Sequence, residues 1–213
     1  MIITWLGQSC FKLQEKDTTV IIDPFDAATG LKEPRGSADV VLITHDHHDH
    51  NNLDAIKGDP FVINKPGEYE AKGVFVYGIP AYHDNVEGKE RGENIIYLIE
   101  SEGLKIAHLG DLGQIALTDA QLEGLNGADI LLIPVGGGFT INGKEAVEII
   151  NQVEPRIVIP MHYKIPGLKI SLDGVDKFCK EIGICSKDSP DKLKITKKDL
   201  PQEDMQVITL KVG

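Results

Sequence analysis

Six consecutive residues, His45-Asp46-His47-His48-Asp49-His50, hold four of the chain's seven histidines and two aspartates. They follow directly on Val40-Val41-Leu42-Ile43-Thr44, which reads as a buried strand. Side chains alternate along a strand, so His45 and His47 share a face if the extension persists. Asp49 and His50 then fall in a turn, from which they can swing to a neighbouring point. Imidazole nitrogens and carboxylate oxygens bind zinc at about 2.0–2.2 Å. The H-x-H-x-D-H spacing is therefore that of a metal site, with groups enough for two ions. Histidine tracts without chemistry lie at termini or among polar residues; this one is internal and follows an apolar run. His48 occupies an x position and is expected to point away.

The elements that must present these groups are mostly strands. β-Branched and apolar runs punctuated by Gly and Pro predict strands at residues 2–6, 10–15, 18–24, 38–44, 61–65, 73–83, 94–101, 104–111, 128–135, 156–162 and 205–212. A short helix is expected over 51–58, capped by Asn51 or Asn52 and closed by Gly58. A second begins at Thr118, with Gln121 completing a capping box. A third runs from Gly143 to Pro155. A fourth, amphipathic, starts at Ser171 and stops at Gly183. Asn85–Asn94 reads as an exposed charged loop. Many strands with fewer, later helices predict two packed sheets with helices outside. "ADVVLITH" at Ala38 and "ADILLIPV" at Ala128 suggest a faint repeat. The expectation is one domain over 1–213, in two similar halves of roughly 1–115 and 116–213.

Composition bounds the function. The formal net charge is −11, which disfavours a sequence-independent grip on nucleic acid. No basic segment leads into an apolar one at the N-terminus, and no apolar run approaches the ~20 residues that span a bilayer. Cys10, Cys179 and Cys185 are odd in number, and their spacing suits neither a zinc ribbon nor a disulfide framework. Reduced thiols in a cytoplasmic protein are the expectation.

"THDHHDH" resembles the signature of the metallo-β-lactamase-fold hydrolase superfamily. "WLGQSCFKL", "VIIDPF" and "HLGD" resemble its small single-domain branch of predicted metal-dependent hydrolases, related to the L-ascorbate-6-phosphate lactonases. The resemblance spans nearly the whole chain. It implies an α/β fold of α+β type: a four-layer αβ/βα sandwich, two mixed β-sheets face to face with helices outside. It also implies three further ligands in sequence order: His83 in "AYHD", Asp111 in "HLGD" and His162 in "IPMHY". Each ends a predicted strand. On this pattern His45, His47 and His83 hold one metal, Asp49, His50 and His162 the second, and Asp111 bridges them. Asp23 in "IIDPF" matches an aspartate expected to hold the histidine loop by hydrogen bonds. Gln8 stands where the branch usually has histidine. His108 faces the other way on a regular strand and is not expected to be a ligand.

The histidine-rich set suits two Zn²⁺, with Mn²⁺ as the alternative. Histidine rather than glutamate at position 47 speaks against the diiron relatives. The implied nucleophile is a hydroxide bridging the metals, since coordination lowers the pKa of water from about 15.7 to about 7. Asp49 would orient it and carry a proton to the leaving group. No inserted arm or helical cap is present to select large substrates. A small, anionic ester, lactone or phosphorylated metabolite is expected. A phosphodiesterase or nuclease of the same fold, and a non-catalytic metal- or metabolite-binding module, are the alternatives. Lys65, Arg91, Lys164 and Lys169 fall in predicted loops, where a solvated role is expected for each and a role at the site is the alternative.

Overall fold

In the computed structural model, which describes residues 1–186 and 188–213, Ile2–Gly7 (β1) alternates in burial so that Ile3 and Trp5 share the core face. It pairs antiparallel with Cys10–Glu15 (β2), and β2 with Thr18–Ile22 (β3). Gly36–Ser37 (β4), Val40–Leu42 (β5), Ile56–Lys57 (β6) and Phe61–Ile63 (β7) follow. β5 lies parallel between β3 and β7, and β4 pairs with β6. The chain then enters a second sheet through Gly67–Ala71 (β8), Val74–Tyr82 (β9), Glu93–Ser101 (β10) and Leu104–His108 (β11). Asp119–Gly124 (α1), Ile130–Pro134 (β12), Gly143–Val153 (α2), Ile157–Met161 (β13) and Val175–Ile182 (α3) alternate after it. Leu193–Lys194 (β14) and Gln206–Val207 (β15) return to the edges of the first and second sheets.

The sheet orders are β14-β1-β2-β3-β5-β7 and β15-β13-β12-β11-β10-β9-β8, each mixed in direction. Trp5, Phe11, Leu42, Ile63, Ile96 and Tyr97 belong to the principal core, where each is almost wholly buried. Burying an aliphatic or aromatic side chain of this size contributes about 1.5–3 kcal/mol. Tyr97 keeps its hydroxyl satisfied there, shared between the carbonyls of Ile43 (2.8 Å) and Ile63 (3.0 Å). Helix α1 packs against β9, and α2 against β12 and α3. A second, smaller cluster of Cys10, Ile21, Phe25, Val41, Ile43 and Ile56 includes alternate residues of β3 and β5, opposite in pleat to those facing the main core.

The two Ala-Asp segments do the same work in each sheet. The Asp39 backbone donates to Thr19 O (2.9 Å), its carboxylate accepts from Thr19 N (2.9 Å), and its carbonyl accepts from Phe61 N (2.8 Å). Asp129 repeats all three contacts with Lys105 O (2.8 Å), Lys105 N (2.9 Å) and Ile157 N (2.9 Å). Each aspartate pins three parallel strands, β3-β5-β7 or β11-β12-β13, at their amino ends.

Several expectations are corrected. Residues 51–58 form a 3₁₀ turn at Leu53–Ala55 and then β6, because the Asn52 side chain donates to Phe25 O (3.1 Å) rather than capping a helix. α3 starts at Val175 behind Gly174, not at Ser171, since the backbone of Asp173 is tied to Gly136 O and Lys164 N (both 2.8 Å). β8 went unpredicted because Gly67–Ala71 is polar and lies at a sheet edge, held by β9 alone. The closing strand pairs only at Gln206–Val207. Cys179 and Cys185 are not free thiols: they form a disulfide across the left-handed Gly183 cap that turns the chain back after α3. Cys10 is the buried free cysteine.

Candidate metal centre

β5 stops at Leu42, two residues before the expected end. The backbone N–H of Thr44 donates to Asp23 Oδ1 (2.8 Å) instead of to a neighbouring strand. The chain bends at once, and His50 N and Asn51 N both return to His47 O (2.9 and 3.1 Å). His45 and His47 still face each other, with ring centroids 4.5 Å apart. A turn brings them together, not the alternation of a strand.

Asp23 orders this turn with one carboxylate. Its Oδ2 accepts from Thr44 Oγ1 (2.7 Å) and from His50 Nδ1 (2.9 Å). The Thr44 hydroxyl spends its proton on Asp23, so its oxygen accepts from His45 Nδ1 (3.0 Å). Both imidazoles thereby carry a proton on Nδ1 and turn Nε2 to the site.

Asp111 follows β11 and enters from the other sheet. Its Oδ2 lies 3.3 Å from His50 Nε2, 3.3 Å from His162 Nε2 and 3.6 Å from His83 Nε2. Its Oδ1 accepts from Ser9 Oγ (2.9 Å). His108, fully buried, accepts from Gly110 N at Nδ1 (3.1 Å), which leaves Nε2–H to donate to Ser9 O (2.7 Å). His108 thus holds the residue that holds Asp111. Gly110 has φ +56°, and a Cβ there would meet Asn94 Oδ1 at 2.3 Å and Thr44 Cβ at 2.8 Å. Asn94 uses that oxygen to accept from Asp111 N (3.1 Å).

Three non-glycine residues around the site adopt left-handed backbone: Gln8 (φ 50°), Asp23 (φ 48°) and His162 (φ 49°). Such residues cost about 1–3 kcal/mol each and persist where the surroundings over-determine them. Asp23 N donates to Leu42 O (2.9 Å), and His162 N to Gln8 O (3.1 Å). Gln8 O also accepts from the Trp5 indole (2.8 Å). Gly136 lies so close to His162 O that a Cβ would approach it to 2.2 Å.

His83 directly follows β9, and its N–H donates to Gly92 O (3.0 Å), closing the loop 84–92. Asp84 is the hub of that loop. Its Oδ1 accepts from Val86 N (2.9 Å) and Gly88 N (2.8 Å), and its Oδ2 from Glu90 N (2.9 Å) and Arg91 N (2.8 Å). Burial opposes its ionisation, but the four amides win and hold its pKa at about 2.

All seven candidate residues converge. The ligand-capable atoms of His45/His47/His83, of His45/His50/Asp111 and of Asp49/His50/His162 lie within 4.8 Å of one another inside each group. Asp49 Oδ2 is 3.7 Å from His50 Nε2. Burial, reinforced by His50, pushes the His45 pKa well down. Burial also works against a proton on His50, yet Asp111 and Asp23 outweigh it and raise that pKa. Asp111 goes well below the carboxylate range against its own burial, under His162 and His50. His45 Nε2 and His50 Nε2 are buried without a hydrogen-bond partner. Buried imidazole nitrogens around a buried carboxylate are a donor set that a divalent cation such as zinc fits.

Five of the seven, His47, Asp49, His83, Asp111 and His162, line a cavity of about 840 Å³. Arg91, Phe139, Lys169 and Ile170 line it. His48 borders it too, but its side chain is exposed and turned to Asp26 (3.6 Å). Lys65 lines a neighbouring cavity of about 540 Å³. Lys164 is turned to backbone, donating to Leu168 O (2.6 Å) and Ile170 O (3.3 Å). Sequence reasoning missed Ser9 and Thr44 as supports of the site, and Asp84 altogether. Thr44 had the one usable signal, adjacency to His45.

Comparison with known proteins agrees with this architecture. A family model described as a beta-lactamase superfamily domain matches residues 2–162. A UPF0173 metal-dependent hydrolase of Thermococcus onnurineus is 32% identical over 76% of this chain and 84% of its own. Another, from Methanopyrus kandleri, is 30% identical over 86% and 94%. A Thermotoga maritima structure, assigned to the Zn-dependent hydrolases of the metallo-beta-lactamase superfamily, superimposes with a TM-score of 0.79 at 37% identity, covering 98% and 97% of the two chains. With its mixed sheets, its few helices and His/Asp residues gathered at the strand ends, the chain belongs to the metallo-β-lactamase superfamily, in its UPF0173 metal-dependent hydrolase family.

Proposed function

We propose that this protein is a metal-dependent hydrolase of small anionic esters, lactones or phosphorylated metabolites, and that two zinc ions are its working metals. His45, His47 and His83 would hold one ion, Asp49, His50 and His162 the other, with Asp111 between them. The observation that carries this reading is the convergence of seven imidazole and carboxylate groups into three overlapping clusters, five of the seven lining one cavity. When bound, the metals supply Lewis acidity and make hydroxide available at neutral pH. The chain's own residues do the rest. Asp23, through Thr44 and His50, sets which imidazole nitrogen faces the site. Ser9 fixes the rotation of the Asp111 carboxylate. Asp49, partly open to the cavity, would take a proton from water and deliver it to the departing oxygen.

Elemental analysis should find about two metals per chain. His45→Ala and Asp111→Asn should each cut occupancy sharply; unchanged content in both would overturn the assignment. Assays on a lactone panel beside bis-p-nitrophenyl phosphate separate carboxylic-ester from phosphodiester hydrolysis. Absence of turnover on every member, with metal loaded, would favour a binding module instead.

A further inference from the structure

The chain is acidic, with net charge −11, and Asp46, Asp49 and Glu90 all line the metal cavity. Two cations nonetheless face it, and each is delivered by its own clamp. Arg91 comes from the loop that Asp84 holds by four backbone amides. Its guanidinium sits over the Phe139 ring at 5.5 Å, and Nη2 donates to Gly138 O (3.4 Å). It is turned to a ring and a carbonyl rather than to a carboxylate. That contact uses one of five donors and leaves most of the planar fork free.

Lys169 comes from a different loop. Its backbone N–H donates to Thr29 O (2.9 Å). The neighbouring Lys164 ammonium grips the carbonyls on either side of it, those of Leu168 and Ile170. Lys164 is thus consumed by structure, whereas Lys169 makes no ion pair among the described residues. Each cation also has an apolar neighbour on the lining, Phe139 beside Arg91 and Ile170 beside Lys169.

We infer that Arg91 and Lys169 select the substrate of this site, by binding a carboxylate or phosphate that it carries apart from the bond to be cleaved. The inference rests on the hydrolase reading of the same cavity. A guanidinium held in place by stacking meets a planar carboxylate or a phosphate with two parallel bonds. Phe139 and Ile170 give the organic part of such a molecule an apolar surface. Arg91 also lines the adjoining cavity with Lys65, so an anionic group seated on it has room on either side.

The test is a matched pair of substrates with one leaving group. Zinc-loaded protein is assayed on neutral p-nitrophenyl butyrate and on anionic mono-p-nitrophenyl succinate. Arg91→Ala and Lys169→Ala should each lower kcat/KM on the succinate by about tenfold or more, while the butyrate stays within about twofold. Equal losses on both substrates, or none on the succinate, overturn the inference. Should the wild type hydrolyse neither ester, the hydrolase reading is what fails, and the pair is judged by calorimetric binding of glutarate and phenyl phosphate. Weaker binding in both variants, by about tenfold, supports it, and the better-bound probe tells carboxylate from phosphate. Binding that is absent in the wild type, or equal in all three proteins, overturns it.

Discussion

Asp23 accepts hydrogen bonds from Thr44 N, Thr44 Oγ1 and His50 Nδ1 while sitting at φ 48° and fully buried. It offers no ligand atom of its own, yet it sets the tautomer of His50 directly and of His45 through Thr44. Asp23→Asn keeps the shape but turns one acceptor into a donor, so either Thr44 or His50 must lose its partner. We expect zinc affinity to fall about 10–100-fold, measured by competition with a chromophoric chelator, with a smaller loss for Thr44→Ala. Equal affinity in wild type and Asp23→Asn would remove the tautomer argument. Residue types alone leave Asp23 as a turn aspartate before Pro24; the family resemblance expects it to hold the histidine loop, and the contacts across 21 and 27 residues show the atoms through which it reaches Thr44 and His50.

At the scale of elements, two hairpins meet at an acidic pair. Glu15 ends β2, and Glu102 lies in the turn between β10 and β11. Burial, together with a hydrogen bond to Glu102 and that group's charge, raises the Glu15 pKa from its ordinary 4.5 to about 7. The folded state then keeps a proton that the unfolded chain has released. The stability this contributes is present below pH 4.5 and is lost as pH rises through about 7. The difference in denaturation free energy between wild type and Glu15→Gln should therefore fall across that window; a flat difference would place the proton elsewhere. At α3, the disulfide closes a loop between residues six apart in sequence. Loop closure of that length is worth about 2 kcal/mol, so reduction should lower the melting temperature by about 4–8 °C. An equal melting temperature in the Cys179→Ser/Cys185→Ser variant would show that the bridge adds nothing. Most strands were readable from β-branched runs between Gly and Pro. Element ends were not, because Asp23 halts β5 and Asp173 delays α3 through contacts made only after folding. The cysteines misled for the same reason: spacing says little until Gly183 turns the chain back.

Taken whole, the molecule places His45, His47, Asp49 and His50 after a strand of the first sheet, and His83, Asp111 and His162 after strands of the second. Metal bound there joins the two sheets across their common edge. A ligand that binds only the folded chain stabilises it by about 2.7 kcal/mol at a free concentration of 100 Kd. Chelation should lower the melting temperature of the wild type by several degrees and leave that of His45→Ala almost unmoved. An equal response in both would mean that the metal lies elsewhere. Among the described residues, no helix is long and apolar enough to cross a membrane. The sequence by itself determined which chemistry was on offer. His45, His47, Asp49 and His50 can be read without coordinates, because residue type and spacing are local properties, whereas His83, Asp111 and His162 stand out only through the family resemblance. The clustering of all seven, the carboxylate that sets the tautomers of His45 and His50, and the facing of Arg91 and Lys169 to the metal cavity while Lys65 lines another and Lys164 turns to backbone were decided only by the tertiary structure. Those are distances between residues far apart in the chain, and they exist only once the two sheets have packed.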